Sequence, residues 1–437
     1  MDKLLQYLYW WFDFQLPKFV PRKYANEIFN TKSIPVFVGP RRSGKSTLFF
    51  QIISDLKNKI PQQNILYINF EDDRLAPLEG NELSEVIDTY RQHFEPDQNL
   101  PVYLFIDEIQ NVPGWEKTIR RLHDTESGLK LMITGSNSKM LSTDIASALR
   151  GRTLTFSDFP LNFVEFLKFK EMRIPEKKTL RYTNDKKNRM LNVFQEYMFF
   201  GGFPEVVLET HPDMKEKLLQ EYLRTIFFAD IVERYEIRAV KLMDAFLKIL
   251  SRQMSSLFSM GKMVDNLKSI GFKVSKNTLI DYFGYIEDAL LGSAVSIYSY
   301  SVKDPLQYPK KFYLVDNGLF RVTSFLRRED NGRLLENLVF SHLKQQYEEI
   351  FYWKGPNGYE VDFVIPRLFK QNTLPSLLHV CFDLNDEKTK KREIRALKKA
   401  AKEFGVSKAL IITRDFWGQE RIDDLQIIIQ PFIDWAV

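Results

Sequence analysis

The sequence predicts an α/β protein built on a parallel sheet that opens with a phosphate-binding strand–loop–helix. Three observations carry this. Val36-Phe37-Val38-Gly39-Pro40-Arg41-Arg42-Ser43-Gly44-Lys45-Ser46-Thr47 has the G-x-x-x-x-G-K-[ST] spacing, with an apolar strand from Ile34 before it and a helix to Leu56 after it. Val102 to Ile106 is an apolar run that stops at two carboxylates, Asp107 and Glu108. Further apolar runs, from Asn64 to Phe70 and from Lys130 to Ile133, alternate with helical spacing, the pattern of a sheet covered by helices on both faces.

At 437 residues the chain exceeds what one core supports, so two or three domains are expected. Hydrophobic content of 44% and charged content of 27% are ordinary for a soluble globular protein, and the net charge of +5 matters only where basic residues cluster. The single cysteine, Cys381, excludes an intrachain disulfide and fits a reducing cytoplasm. One Cys and 5 His argue against structural zinc.

In chain order, Leu4 to Phe14 is an aromatic-rich helix interrupted by Asp13 and ended by Pro17. It is too short to span a bilayer and lacks a signal-peptide cleavage site, so docking on the sheet domain is expected; a membrane-surface or self-association helix is the alternative. Arg22 follows, a candidate contact to a bound nucleotide. In the phosphate loop, Gly39, Pro40, Arg41, Arg42, Ser43, Gly44, Lys45, Ser46 and Thr47 present successive N–H groups and a helix N-terminus, together an anion site. Lys45 is expected to reach the β- and γ-phosphates, and Ser46 to ligate Mg²⁺. Asp107 would hold the metal through water, and Glu108 would polarise the attacking water. Ser136 and Asn137 end a fourth strand where they would sense the γ-phosphate; they equally suit a cap for the next helix. Arg150 and Arg152 precede a fifth strand, Thr153 to Phe156. Either is a candidate to neutralise transition-state charge, within the chain or across a subunit interface, and either also fits a plain surface pair.

Gly39 to Thr47, Ile106-Asp107-Glu108, Ile133-Thr134-Gly135-Ser136 and Leu149-Arg150-Gly151-Arg152 together resemble a prokaryotic AAA+ superfamily ATPase. The resemblance implies a P-loop NTPase sheet in the order 5-1-4-3-2, ATP and Mg²⁺ as cofactors, and a helical lid entered at Phe159-Pro160-Leu161-Asn162-Phe163. Gly201-Gly202-Phe203-Pro204 resembles the G-x-P signature of such lids, and by position Pro204 would pack near the adenine. Between these lie nine basic residues against three acidic ones from Lys168 to Arg189, a run that suits phosphate tracking or simply a solvated loop.

Helices from Lys217 to Tyr235 and Lys241 to Phe258 lead into a helix–turn–helix pattern, Met260 to Ile270 and Lys276 to Leu291, with Ser275 as N-cap. Ala294 to Tyr300 and Lys311 to Val315 would pair as a wing. Lys273, Ser275, Lys276, Asn277 and Thr278 are the residues such a winged helix would set against DNA, a protein contact being the alternative. Beyond, Glu336 on a helix, Asp362 on an alternating strand, and His379 and Cys381 on the next resemble a restriction-endonuclease-like core. His379 and Cys381 stand where active members of that group carry Glu and Lys, which implies a nuclease-shaped domain without cleavage activity. Lys388, Lys390, Lys391, Arg392, Arg395, Lys398, Lys399 and Lys402 stud one helix, and Lys408 to Thr413 is expected to close the sheet. The expected division is residues 1–157, an ATPase core; 158–238, the lid; 239–315, a winged helix; and 316–437, the nuclease-like domain. The expected activity is that of a cytoplasmic, nucleotide-controlled switch acting on duplex DNA. A protein-recognising scaffold and a metal-dependent nuclease are the alternatives, and an oligomer is open.

Overall fold

The computed structural model describes residues 3–75, 83–141, 147–174, 184–301, 303–304, 308–323, 330–371 and 374–437, and the chain divides into two compact units. Among the described residues no helix is long and apolar enough to cross a membrane.

The first unit is Met1–Phe159 with Asp288–Leu290. It runs α1 (Lys3–Asp13), β1 (Ile34–Val38), α2 (Lys45–Lys57), β2 (Ile65–Asn69), α3 (Leu83–Phe94), β3 (Val102–Asp107), α4 (Trp115–Thr125), β4 (Leu129–Gly135) and β5 (Thr153–Ser157). The five strands are parallel in the order β2-β3-β4-β1-β5, which is the expected 5-1-4-3-2 sheet. Ile106 and Val36 both pair with Ile133, so Asp107, Gly135 and Val38 end their strands on one edge of the sheet, with Thr134 beside them. That edge, at the strands' C-termini, is where open parallel sheets place ligands.

The aromatic helix α1 packs on this core, as expected. Tyr7, Leu8 and Trp11 are fully buried, each worth about 1.5–3 kcal/mol by burial of a large apolar side chain. The Trp11 indole donates to the Ile65 carbonyl at 2.9 Å, and the Asn69 N–H donates to the Tyr7 hydroxyl at 2.9 Å. Both partners lie on β2, the outer strand of the sheet.

The second unit is Pro160–Glu287 with Leu291–Val437. It begins with α5 (Phe163–Phe169), α6 (Asn184–Phe200), α7 (Pro204–Leu208) and α8 (Pro212–Thr225). An Asn162–Glu165 capping box starts α5, satisfying two otherwise unbonded N–H groups. The helix expected from Lys217 to Tyr235 changes character at Ile226 and continues to Glu233 as a π-helix, with Ile226, Phe227, Asp230 and Ile231 buried. The chain then forms α9 (Val240–Arg252), β6 (Leu257–Phe258), α10 (Met260–Ser269), α11 (Lys276–Asp288), β7 (Gly292–Val295) and β8 (Lys310–Leu314). β7 and β8 pair antiparallel, with β7 shorter and earlier than the expected Ala294 to Tyr300.

The unit closes with α12 (Asn317–Thr323), α13 (Asn331–Lys344), β9 (Phe351–Lys354), β10 (Glu360–Val364), β11 (Leu377–Val380), α14 (Glu387–Phe404), β12 (Lys408–Thr413), β13 (Gly418–Ile422), β14 (Leu425–Pro431) and α15 (Phe432–Trp435). These six strands make a mixed sheet in the order β13-β14-β12-β11-β10-β9. Lys408 to Thr413 therefore does not close the sheet. It is internal, because the alternating run from Leu425 to Pro431 buries its apolar face and pairs outside it.

Gly201 and Gly202 serve a joint within this unit. The buried Asp316 carboxylate accepts the Gly202 and Gly318 N–H groups at 2.7 Å each. Gly201 has φ +73, and a Cβ there would lie 1.8 Å from Asp316 Oδ1, so no other residue fits. Burial pushes the Asp316 carboxyl up to about 7, against the pull of those two N–H donors. The folded unit thus keeps a proton that the unfolded chain, with its ordinary value of 3.8, releases. Stability from this group is full below about pH 4 and falls as pH rises toward 7. Urea midpoints of the protein are expected to drop between pH 5 and pH 7, and Asp316→Asn should shrink that drop; an unchanged pH slope would refute the assignment.

Candidate functional site

The site is assembled where β1 hands over to α2. Gly44 sits at φ 110 and ψ 13 as the N-cap of α2, a conformation open to glycine. The first N–H groups of α2 have no acceptor within the helix and face an anion site. Lys45 is buried, its ammonium donating to the Gly39 and Pro40 carbonyls at 3.1 Å each and lying 3.3 Å from Glu108 Oε1.

Asp107 is fully buried at the end of β3. It accepts hydroxyls from Tyr67, at 2.7 Å, from Thr134 and from Ser46. Burial and the neighbouring Glu108 charge push its carboxyl up, and these three hydroxyls pull against them. Glu108 takes the left-handed conformation, φ 54 and ψ 47, rare for a side chain of its size. Its N–H donates to Thr134 Oγ1 at 3.0 Å. Burial pushes its carboxyl up, but the Lys45 ammonium, the Gln110 amide and Arg41 outweigh that and hold it below the usual range. Two adjacent acids are thus driven in opposite directions, a pattern that marks distinct chemical roles.

Ser136 joins this cluster. The Gln110 amide donates both to Glu108 and, at 3.1 Å, to Ser136 Oγ. Asn137 is buried, and its backbone carbonyl accepts the Met140 N–H at 3.1 Å. Arg22 donates to the Ser43 carbonyl at 3.0 Å, to Asp158 at 2.7 Å and to the Phe159 carbonyl at 3.0 Å. Ser43 Oγ donates to the same Asp158 at 3.1 Å, so Arg22 and Asp158 brace the phosphate loop from behind. Arg41 pairs with Glu71, while Arg42 and Thr47 are exposed. Arg152 makes a two-point contact with Asp124 at 2.6 and 3.0 Å, and Arg150 is exposed with φ 50. Pro204 opens α7 in the second unit.

Sequence reasoning missed Gln110, Thr134, Tyr67 and Asp158. Thr134 and Tyr67 carried one signal, since both lie on strands that flank β3 in an order the resemblance implied. Among the described residues no group of three His, Cys, Asp or Glu is placed to hold a metal. Mg²⁺ nonetheless fits the Ser46 hydroxyl and Asp107 carboxylate, because that ion commonly takes one or two protein ligands and completes its shell with phosphate and water.

In the second unit the nuclease-like residues form a charged core of a different kind. Lys311, from β8 and 2% exposed, places its ammonium 3.1 Å from Glu336, 2.6 Å from Glu360 and 2.8 Å from Asp362. Burial opposes its charge, but Asp362 and Glu336 hold the proton firmly. Burial and the Asp362 charge push Glu336 up to about 7 against Lys311 and the Tyr313 hydroxyl. His379 lies 2.8 Å from Asp362 and bonds Glu393; burial lowers it, yet these two acids raise it to about 10. Cys381 stands apart, its thiol on the Asp383 carbonyl at 3.1 Å. The lysine among these acids therefore comes from β8 and not from the strand that carries His379.

At the helix–turn–helix, Ser275 Oγ accepts the Thr278 N–H at 3.1 Å, capping α11, and contacts the Thr278 hydroxyl at 2.8 Å. Lys273, Lys276 and Asn277 are exposed. Of the basic run before α6, Lys177, Lys178 and Arg181 lie outside the described residues, and Lys170 pairs with Glu196 at 2.8 Å.

Residues 31–167 match an AAA domain family, and residues 191–330 and 331–430 match two domains of unknown function, DUF8612 and DUF4143. An uncharacterized protein of Methanocaldococcus jannaschii is 38% identical over 429 residues, covering 95% of this chain and 91% of that protein. A Haemophilus influenzae protein, also uncharacterized, is 28% identical over 411 residues, 93% of this chain and 95% of its own. Among solved structures, an Aeropyrum pernix ORC2 protein in ADPNP and ADP complexes aligns with 74% of this chain and 92% of its own at 13% identity, with a TM-score of 0.38. Strand order, phosphate-loop geometry and the 38% identity to the archaeal relative over most of both chains agree: the chain belongs to a prokaryotic AAA+ ATPase family whose AAA domain is followed by domains of unknown function.

Proposed function

We propose that the protein is a Mg²⁺-dependent ATPase acting as a nucleotide-controlled switch on duplex DNA. The observation that carries the hydrolytic part is the pairing of a Glu108 held ionised with an Asp107 bonded to Ser46. Lys45 and the N-terminus of α2 bind the phosphates, and Ser46 with Asp107 would hold Mg²⁺, whose charge neutralises the phosphate oxygens. Glu108 accepts a proton from the attacking water, with Gln110 and Ser136 fixing its carboxylate. Ser136 thereby links phosphate chemistry to β4, and through it to the rest of the sheet.

The DNA part is supported by exposed Lys273, Lys276 and Asn277 at the turn and start of α11. A second reading, contact with a protein, is favoured by Ile270 and Ile280, which are 59% and 48% exposed beside the same turn. No cleavage is assigned to the second unit, since the Lys311 ammonium lies among the acids a metal would need.

Steady-state ATP hydrolysis with and without duplex DNA tests the proposal. Stimulation of several-fold by duplex supports it. Hydrolysis indifferent to duplex moves the assignment to the protein-contact reading, and nucleotide binding without turnover would refute the ATPase.

A further inference from the structure

α14 carries charge in a pattern that its packing does not require. Ile394, Ala396, Leu397, Ala400 and Ala401 face the core of the second unit. On the opposite side Lys388, Lys391, Arg392, Arg395, Lys399 and Lys402 are all exposed. At 3.6 residues per turn these six fall within an arc of about 100°, and at 1.5 Å per residue they form a stripe about 21 Å long.

The local ion pairs leave most of this charge open. Lys390 pairs with Glu420 at 2.6 Å on the core-facing side of the helix, and Lys398 with Asp423 at 2.8 Å on the flank of the stripe. On the stripe itself Lys391 is 3.9 Å from Glu387, Arg392 pairs with Glu393, and Lys399 lies 4.1 Å from the Tyr359 ring centre. Among the described residues no ion pair reaches Lys388, Arg395 or Lys402.

Like charges three or four apart on a helix repel and destabilise it, and here 388/392, 391/395, 395/399 and 399/402 all do so. A merely solvated face gains by alternating the signs. The stripe is therefore kept against the helix's own stability, which calls for an anionic partner of matching length. Its side chains are all cationic, the type that most often meets phosphate oxygens, so it suits a phosphate backbone irrespective of sequence.

We infer that this face of α14 tracks the phosphate backbone of duplex DNA as a second, sequence-independent contact. The inference rests on the DNA-directed reading above and locates its electrostatic part away from the helix–turn–helix. Six phosphate contacts would give a salt slope of affinity near −5 on logarithmic axes, each contact contributing about −0.9.

The test is a fluorescence titration of the full chain with two unrelated duplexes of about 30 base pairs over a range of salt concentrations. The variant Lys388→Gln/Lys391→Gln/Arg395→Gln/Lys402→Gln should weaken both duplexes equally, by about tenfold or more, and reduce the slope by three to four, roughly 0.9 per residue. Its thermal midpoint should hold or rise, because repulsion is relieved. The charge-keeping variant Lys388→Arg/Lys391→Arg/Lys402→Arg should bind as the wild type does.

Wild-type affinity and slope in the glutamine variant would overturn the stripe, and if Lys273→Gln/Lys276→Gln then lost binding, the DNA reading would stand without it. Stronger competition by single-stranded RNA of equal charge would overturn the duplex assignment. A wild-type chain that bound no duplex at low salt would remove the DNA reading and this inference together.

Discussion

Glu108→Gln is expected to cut steady-state ATP hydrolysis by about 10²–10⁴-fold, the usual contribution of a positioned general base, while nucleotide affinity changes by no more than a few-fold. The amide matches the carboxylate in shape and keeps an acceptor for Gln110, so the fold is retained. It cannot take a proton from water. It also removes the negative charge 3.3 Å from Lys45, which frees the ammonium for phosphate and, if anything, tightens binding. The decisive readout is the split between turnover and affinity, with nucleotide binding followed by titration and turnover by phosphate release. A Glu108→Gln protein that hydrolyses ATP within threefold of wild type would show that another group is the base. Equal losses of binding and turnover would instead mark Glu108 as a structural support for the loop.

The second large effect concerns Lys311. Lys311→Met keeps most of the apolar stem of the side chain but leaves Glu336 and Glu360 without this cation and Asp362 with His379 alone. Breaking a buried pair from one side costs about 3–5 kcal/mol, because the surviving charge is left desolvated. A loss of that size is expected in urea unfolding of the second unit. Adding Glu336→Gln should restore part of it, since residues sharing one network are not additive. The Glu336 carboxyl, already at about 7, should take up a proton more readily once the ammonium is gone. The deficit of Lys311→Met is therefore expected to be larger above pH 7, where Glu336 would have to ionise, than at pH 5. A change under 1 kcal/mol at both pH values would show that the ammonium is not what balances this cluster.

The contrast between these two sites explains what the sequence disclosed. The phosphate loop and the Asp107–Glu108 pair were legible because each is written in consecutive residues, and the strand–loop–helix geometry follows from local propensity. Their supporting groups were not. Thr134 meets Asp107 only because Ile106 and Ile133 share a register, and Gln110 reaches Ser136 across two strand ends. Lys311 was farther from view. The nuclease-like pattern directed attention to His379 on β11 and Cys381 just after it, whereas the lysine arrives from a hairpin strand many residues earlier. No local rule links these positions; burial of the shared acids does.

The sheet of the second unit illustrates a different lesson. The buried Leu425, Ile427 and Ile429 alternate along β14 as a half-buried strand should, yet the internal position of β12 beside them depends on pairings that hydropathy alone does not fix. Likewise Gly201 and Gly202 suggested a lid signature, while their backbone N–H and φ are bound up with Asp316, well over a hundred residues on.

The placement of α1 has a consequence for the behaviour of the chain in crowded solution. An outer strand with free N–H and C=O groups is a template on which another chain can add a strand. On β2 the Trp11 indole and the Tyr7 hydroxyl occupy two of those groups, at Ile65 and Asn69. The first helix thus acts as a stopper against edge-to-edge aggregation, and its aromatic richness is explained by the need for rings that bury a large area and still carry a polar tip to the backbone.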